Sequence, residues 1–141
     1  MRRWLVRIVV ALVVVLVVIQ AIPYGRDHTN PPVRAEPNWD SPRTRQLAED
    51  ACFACHSNET RWPWYSSVAP VSWLTQNDVD EGRRVLNFSE WDRPQESGEA
   101  AEALREGEMP PWQFKLLHPE ARLSDAEKAQ LIRGLERTLA R

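Results

Sequence analysis

The stretch that decides the reading is Leu47-Ala48-Glu49-Asp50-Ala51-Cys52-Phe53-Ala54-Cys55-His56. Leu47, Ala48, Ala51, Cys52 and Cys55 fall at helical spacing, so the segment reads as a helix with one apolar face. Its start is marked by Ser41, a capping residue, and by Pro42, which suits the first helical position. The chain has 2 cysteines, and both lie in Cys52-Phe53-Ala54-Cys55-His56. C-x-x-C-H is the attachment signature of c-type haem. Two thiols adding to the two vinyl groups of a porphyrin must straddle one edge of the ring. His56, beside the second cysteine, then offers a ring nitrogen to the iron. The expectation is one covalent haem c, bound by Cys52 and Cys55, with His56 as an axial iron ligand.

Three rivals fit less well. A structural zinc site wants four protein ligands, usually as two pairs, and there is no second cysteine pair. A thioredoxin-like pair belongs in a strand-rich context and does not need the histidine. A Cys52–Cys55 disulfide closes a short loop and would contribute little.

The sixth iron position is filled by Met, by His or by nothing. Met109 sits in Gly107-Glu108-Met109-Pro110-Pro111-Trp112, and the start residue aside it is the only methionine. Two prolines stiffen that loop, which suits holding a thioether in place. His118, in a loop before Pro119, is the alternative to Met109. His28 is a remote third. Arg61-Trp62-Pro63-Trp64-Tyr65 follows the motif closely and offers walls and hydrogen-bond donors for a ring, or ordinary core packing. The Pro70 carbonyl is a candidate acceptor for the other nitrogen of His56. Arg83 and Arg84 are candidate partners for propionates.

The N-terminus is unlike the rest. Every residue from Ile8 to Ile19 is apolar, and Arg2, Arg3 and Arg7 precede or open the run. Trp4 to Ile22 would span about 28 Å as a helix, close to a ~30 Å hydrocarbon core. Positive charge stays on the cytoplasmic side, so the remainder is expected outside. No small-x-small site follows the run, which favours an uncleaved anchor over a cleaved signal peptide. The expected organisation is a transmembrane signal anchor over 1–22, a Pro-rich tether over 23–40 and a haem-binding domain over 41–141. The 18 basic residues less those three arginines leave 15 against 20 acidic ones, a formal charge of −5 beyond the anchor. That argues against a nucleic-acid partner. It suits docking to a basic patch on a redox partner protein.

The domain reads as all-α. Helices are expected from Pro42 through the motif, over Ser72–Leu86 although Gly82 weakens it, over Gln95–Glu106 with a stop at Gly107, and after Ser124. Ser124 and Glu127 form a capping box, and Leu131, Ile132, Leu135 and Leu139 form one stripe. Arg133, Arg137 and Arg141 lie off that stripe, near the C-terminal end of the helix dipole. A domain of this size has a thin core, rich in tryptophan, and a large cofactor bonded to the chain would staple it.

Three strings together, CHSNETRWPWYSSVAPVSW, DVDEGRRVLNFSEW and GEMPPWQFKLLHPEARLSDAEK, resemble the bacterial haem-binding domain family of membrane-anchored monohaem proteins. The resemblance covers about Asp40 to the C-terminus. The order of attachment motif, methionine loop and C-terminal helix is also similar to class I cytochromes c. It implies a cytochrome c-like helical domain around one covalent haem, outside the cytoplasmic membrane, with Cys52, Cys55 and His56 carrying the haem and Met109 at the methionine position. A longer insert between His56 and Met109 sets the chain apart from a minimal class I cytochrome. The function expected is single-electron carriage by a membrane-anchored c-type cytochrome, which is not an enzyme. The alternative is a haem sensor or small-gas binder with an open or displaceable sixth ligand.

Overall fold

A computed structural model describes residues 2–139; Arg141, included in the basic C-terminal turn above, lies outside them. Among the described residues the regular structure is helical, with a single isolated bridge between Ala35 and Glu90. The chain divides into two compact units, one formed by the residues up to Thr29 with Trp62–Asp78, the other by Asn30–Arg61 with the residues from Val79 onward.

In the first unit, α1 (Arg2–Ile19) carries its three arginines in its first two turns and buries no residue. No helix among the described residues is long and apolar enough to cross a membrane. α1 stops at Ile19, before the Ile22 limit read from the sequence. Gln20 supplies the reason: its amide turns back to the Leu16 carbonyl and also pairs with Ala69, donating to the carbonyl at 2.9 Å and accepting the N–H at 3.1 Å. Pro23 then bars further helix. Trp64–Ser67 form a 3-10 turn, and α4 (Val71–Val85) begins in this unit. Gly25, with φ near 78°, lies so close to Ser72 that an added Cβ would meet its carbonyl oxygen at 2.3 Å. The helix expected over Ser72–Leu86 is therefore observed within one residue at each end.

The second unit holds α2 (Pro42–Ala51), α3 (Phe53–His56), the rest of α4, α5 (Ala100–Glu106), α6 (Trp112–Leu117) and α7 (Asp125–Leu139). Ser41 caps α2 by accepting the Thr44 N–H. Ser124 and Glu127 cap α7 reciprocally, each side chain accepting the other's backbone N–H. α7 packs on α2 and α5. Leu47 and Ala48 meet Leu131, Leu135, Leu104 and Ala101 in one buried cluster with Phe53, Leu86 and Phe88. At about 1.5–3 kcal/mol for each large side chain, this cluster is the main stabilising term of the unit. Gly134 lets α7 approach α2: a Cβ there would lie 2.2 Å from Thr44 Oγ1.

Three segments differ from the sequence reading. The helix expected from Gln95 begins as α helix only at Ala100, after a 3-10 turn over Ser97–Glu99. Gln95 is withdrawn because its side-chain oxygen accepts the Asn87 N–H at 2.7 Å. α6 was not expected; it is a six-residue helix entered from Pro111. The stretch 34–39, read as tether, is tied down. Arg34 and Ala35 donate to the Ser89 carbonyl and Ala35 accepts from Trp91. Glu36 takes a two-point hydrogen bond from Arg45 and one from Trp39.

Candidate functional site

Cys52 is where the helix breaks. Its N–H still donates to Ala48, closing α2, while its carbonyl accepts both the Cys55 and the His56 N–H, opening α3. The motif therefore winds through a change of helix axis, with Phe53 buried behind it and both cysteines partly exposed and not joined in a disulfide. Cys52 packs against the core, and desolvation with the neighbouring Cys55 pushes its thiol up to about 12. At neutral pH it is a protonated, neutral group.

His56 is held from behind. Its Nδ1 lies 3.0 Å from the Gly82 carbonyl oxygen and 3.0 Å from that of Leu86. Carbonyls only accept, so Nδ1 carries the proton and Nε2 of the neutral ring keeps its lone pair. Burial lowers the imidazole pKa, and the two carbonyls partly offset that. A ring fixed this way is a ready metal ligand, since an acceptor on the far nitrogen sets both tautomer and orientation. The acceptor differs from the one expected. The Pro70 carbonyl receives the backbone N–H groups of Trp73 and Leu74 instead.

The last turns of α4 are shaped for this role. A Cβ on Gly82 would sit 2.5 Å from the Cys55 carbonyl oxygen. Only glycine lets the helix backbone lie against the motif and present its carbonyl to His56. The next residue, Arg83, donates Nε to the Ser57 carbonyl at 2.8 Å and a terminal nitrogen to Thr60 Oγ1 at 3.0 Å. It thus clamps the chain just after the motif. Arg84 pairs with Glu81.

A buried polar net completes the support. Asn87 donates to Asn58 Oδ1 at 2.8 Å and accepts the Ser89 N–H, while Ser89 Oγ accepts the Asn58 N–H at 2.9 Å. Phe88, between them, donates its N–H to the His56 carbonyl at 2.8 Å. Its ring stacks near Phe53, Trp39 and Trp91, at centroid distances of 5.2–6.1 Å. Arg45 lies over Phe53, 5.4 Å from the ring centre. Sequence reading missed Gly82 and the Asn58–Asn87–Ser89 net. The one sequence signal was Asn87, a polar residue between Leu86 and Phe88.

The remaining candidates stand apart from the motif helix in sequence and differ in setting. Met109 follows Gly107, whose φ of 81° ends α5. Its N–H donates to Ala103, and its side chain is 40% exposed. His118 closes α6, stacks on Phe114 at 3.9 Å and holds Glu120 at 3.0 Å. With Phe53, Ala54, Phe114 and Glu120 it lines a cavity of about 180 Å³ that reaches the middle of the motif. His28 bonds to Ser66 and stacks on Trp62. Among the described residues no cluster of three or more His, Cys, Asp or Glu side chains is placed to hold a metal ion.

Two cysteines three residues apart and not joined in a disulfide, an imidazole with its Nε2 lone pair available and an aromatic bed behind them fit a haem. The fold and this donor set define a small all-helical haem-binding module. The haem-binding domain family matches residues 14–137, and the chain belongs to that family. No curated protein and no solved structure matches it.

Proposed function

We propose that the protein is a membrane-anchored monohaem c-type cytochrome that carries single electrons outside the cytoplasmic membrane. The observation that carries this reading is His56, its Nδ1 on two carbonyls and its Nε2 left for iron, one residue after the second of two cysteines not joined in a disulfide. Cys52 and Cys55 form the two thioethers, and Met109 takes the sixth position. The haem, when bound, supplies a one-electron iron couple. The chain's own residues set its environment: Gly82 and Leu86 hold the imidazole, Arg83 and the Asn58–Asn87–Ser89 net fix the loop, and Phe53 and Phe88 form its apolar bed. The acidic balance beyond α1 steers a basic redox partner protein. The protein transforms no substrate and is not an enzyme.

The anchor reading rests on α1. An apolar helix that buries none of its residues needs a cover, and its arginines gather at one end, where their long stems reach the interface. The haem domain then lies on the extracytoplasmic side.

Acid–acetone extraction tests attachment: colour stays with the wild-type protein, and free haem in the organic phase would refute the thioethers. Cys55→Ala is expected to leave one thioether and a shifted pyridine haemochrome band. The second reading, a sensor or gas binder, is favoured by the 40% exposure of Met109. Carbon monoxide separates the two. The carrier binds little of it at neutral pH and shows the weak red-edge ferric band of iron–sulfur ligation. Met109→Ala removes that band, opens the site and lowers the potential, while His118→Ala changes none of the three. The reverse pattern assigns His118 to iron.

A further inference from the structure

The segment from Trp62 to Asn77 contains no charged side chain, in a chain where 27% of residues are charged. Although Ser66, Ala69 and Ser72 are buried, most of its large apolar side chains are not. Trp64 is 81% exposed, Leu74 65%, and Val68 and Val71 are exposed as well. Val71 and Leu74 are three residues apart on the first turn of α4 and so share a face. Exposed apolar residues this concentrated mark a contact surface.

What covers them follows from the company they keep. The segment belongs to the same compact unit as α1. It is joined to the end of that helix by the two-point pairing of the Gln20 amide with the backbone of buried Ala69, which lies between exposed Val68 and Val71. Ser72 adds a bond to the Tyr24 carbonyl, and Gly25 lies against the Ser72 backbone. Ile22 and Tyr24, on the stretch between, are exposed too. No charge interrupts α1 and its exit from Ile8 to Gly25. The level of Gln20 is the level at which an anchored α1 leaves the hydrocarbon. Tryptophan and tyrosine favour that depth, because one part of each ring is apolar and the other meets water.

We propose that Trp64, Val68, Val71 and Leu74 form a membrane-seating platform that rests on the headgroup boundary of the outer leaflet beside the exit of α1. The occupant is the lipid surface itself. The proposal rests on the anchored reading of α1, and the two fail differently.

The full chain with its haem is reconstituted into phosphatidylcholine vesicles doped with a phosphatidylcholine that carries a photoactivatable diazirine near its glycerol. After illumination, lipid adducts are mapped by mass spectrometry. Adducts are expected on α1 and on the Trp62–Leu74 peptides, several-fold above those on α7. In the double variant Trp64→Glu, Leu74→Glu, the α1 adducts persist and those on 62–74 fall to the α7 level. Adducts on α1 with none on 62–74 above the α7 background would overturn the platform and leave the anchor standing. No adducts on α1 would overturn the anchor and the platform with it.

Discussion

Gly82 and His56 illustrate how much rests on single atoms here. The imidazole is oriented by the carbonyls of Gly82 and Leu86, 26 and 30 residues on, and glycine alone permits the approach of α4. Gly82→Ala is expected to push α4 from the Cys55 carbonyl and loosen the His56 hydrogen bond. The overpacking cost is roughly 1–3 kcal/mol, read as a lower thermal midpoint. A shifted reduction potential in the surviving holoprotein is the accompanying sign, which a purely structural defect elsewhere would not give. Asn87→Ala leaves the Asn58 oxygen and the Ser89 N–H without their buried partner, at about 1–3 kcal/mol; chemical denaturation measures it. Neither residue was legible as functional in the sequence. A glycine inside a helical pattern looked like a weakness, and the asparagine just past the helix carried no reading of its own. What each does depends on partners far along the chain. The motif itself was legible because its three groups are local, and its meaning lies in their spacing.

At the scale of elements, the capped helices were the readable ones. Ser41-Pro42 and Ser124-x-x-Glu127 mark their own starts, since the orphan N–H groups of a helix end find partners within three residues. The boundary at Gln95 was not readable, because a distant backbone N–H claims that side chain. Nor was the break at Cys52, where one carbonyl takes two donors. The fit of α2 to α7 offers a sharp test. Gly→Ala in a helix ordinarily stabilises by up to about 1 kcal/mol. At Gly134 the sign is expected to reverse, since the new Cβ meets Thr44 side-chain atoms. Thr44→Ala should restore part of the loss when combined with it. A double-mutant cycle by calorimetry reads the coupling, and strict additivity would show that the two helices do not meet there.

For the whole molecule, the charge pattern carries a pH dependence. The two-point bond from Arg45 is the largest influence on Glu36 and holds its carboxyl below the ordinary value of 4.5, against burial that raises it. Trp39 Nε1 adds a bond, and Glu49 and Glu59 face the same guanidinium. A depressed carboxylate stabilises the fold fully above about 4.5 and loses that contribution as pH falls through its lower folded value. The pair is partly exposed, so its worth is at most about 1 kcal/mol. Glu36→Gln is therefore expected to lower the midpoint at pH 7 and to converge on wild type as pH falls below the depressed folded value. An unchanged gap across that range would detach Glu36 from the acid response. Stretch 34–39 looked like part of a linker by composition; its hydrogen bonds to Ser89 and Arg45 are long-range, so no local pattern announced them.

The packing of α7 on α2 has a consequence in time. A chain made N-terminus first presents Cys52 and Cys55 long before α7 arrives. Until Leu131 and Leu135 reach Leu47 and Ala48, the cluster against which Cys52 packs is incomplete. In the closed fold, burial and the neighbouring Cys55 raise the Cys52 thiol above its ordinary value, and a less ionised thiol is a slower nucleophile. Iodoacetamide at pH 8 is therefore expected to alkylate a chain truncated before Ser124 quickly and the full haem-free chain slowly. Equal rates would mean that the docking of α7 does not shield Cys52.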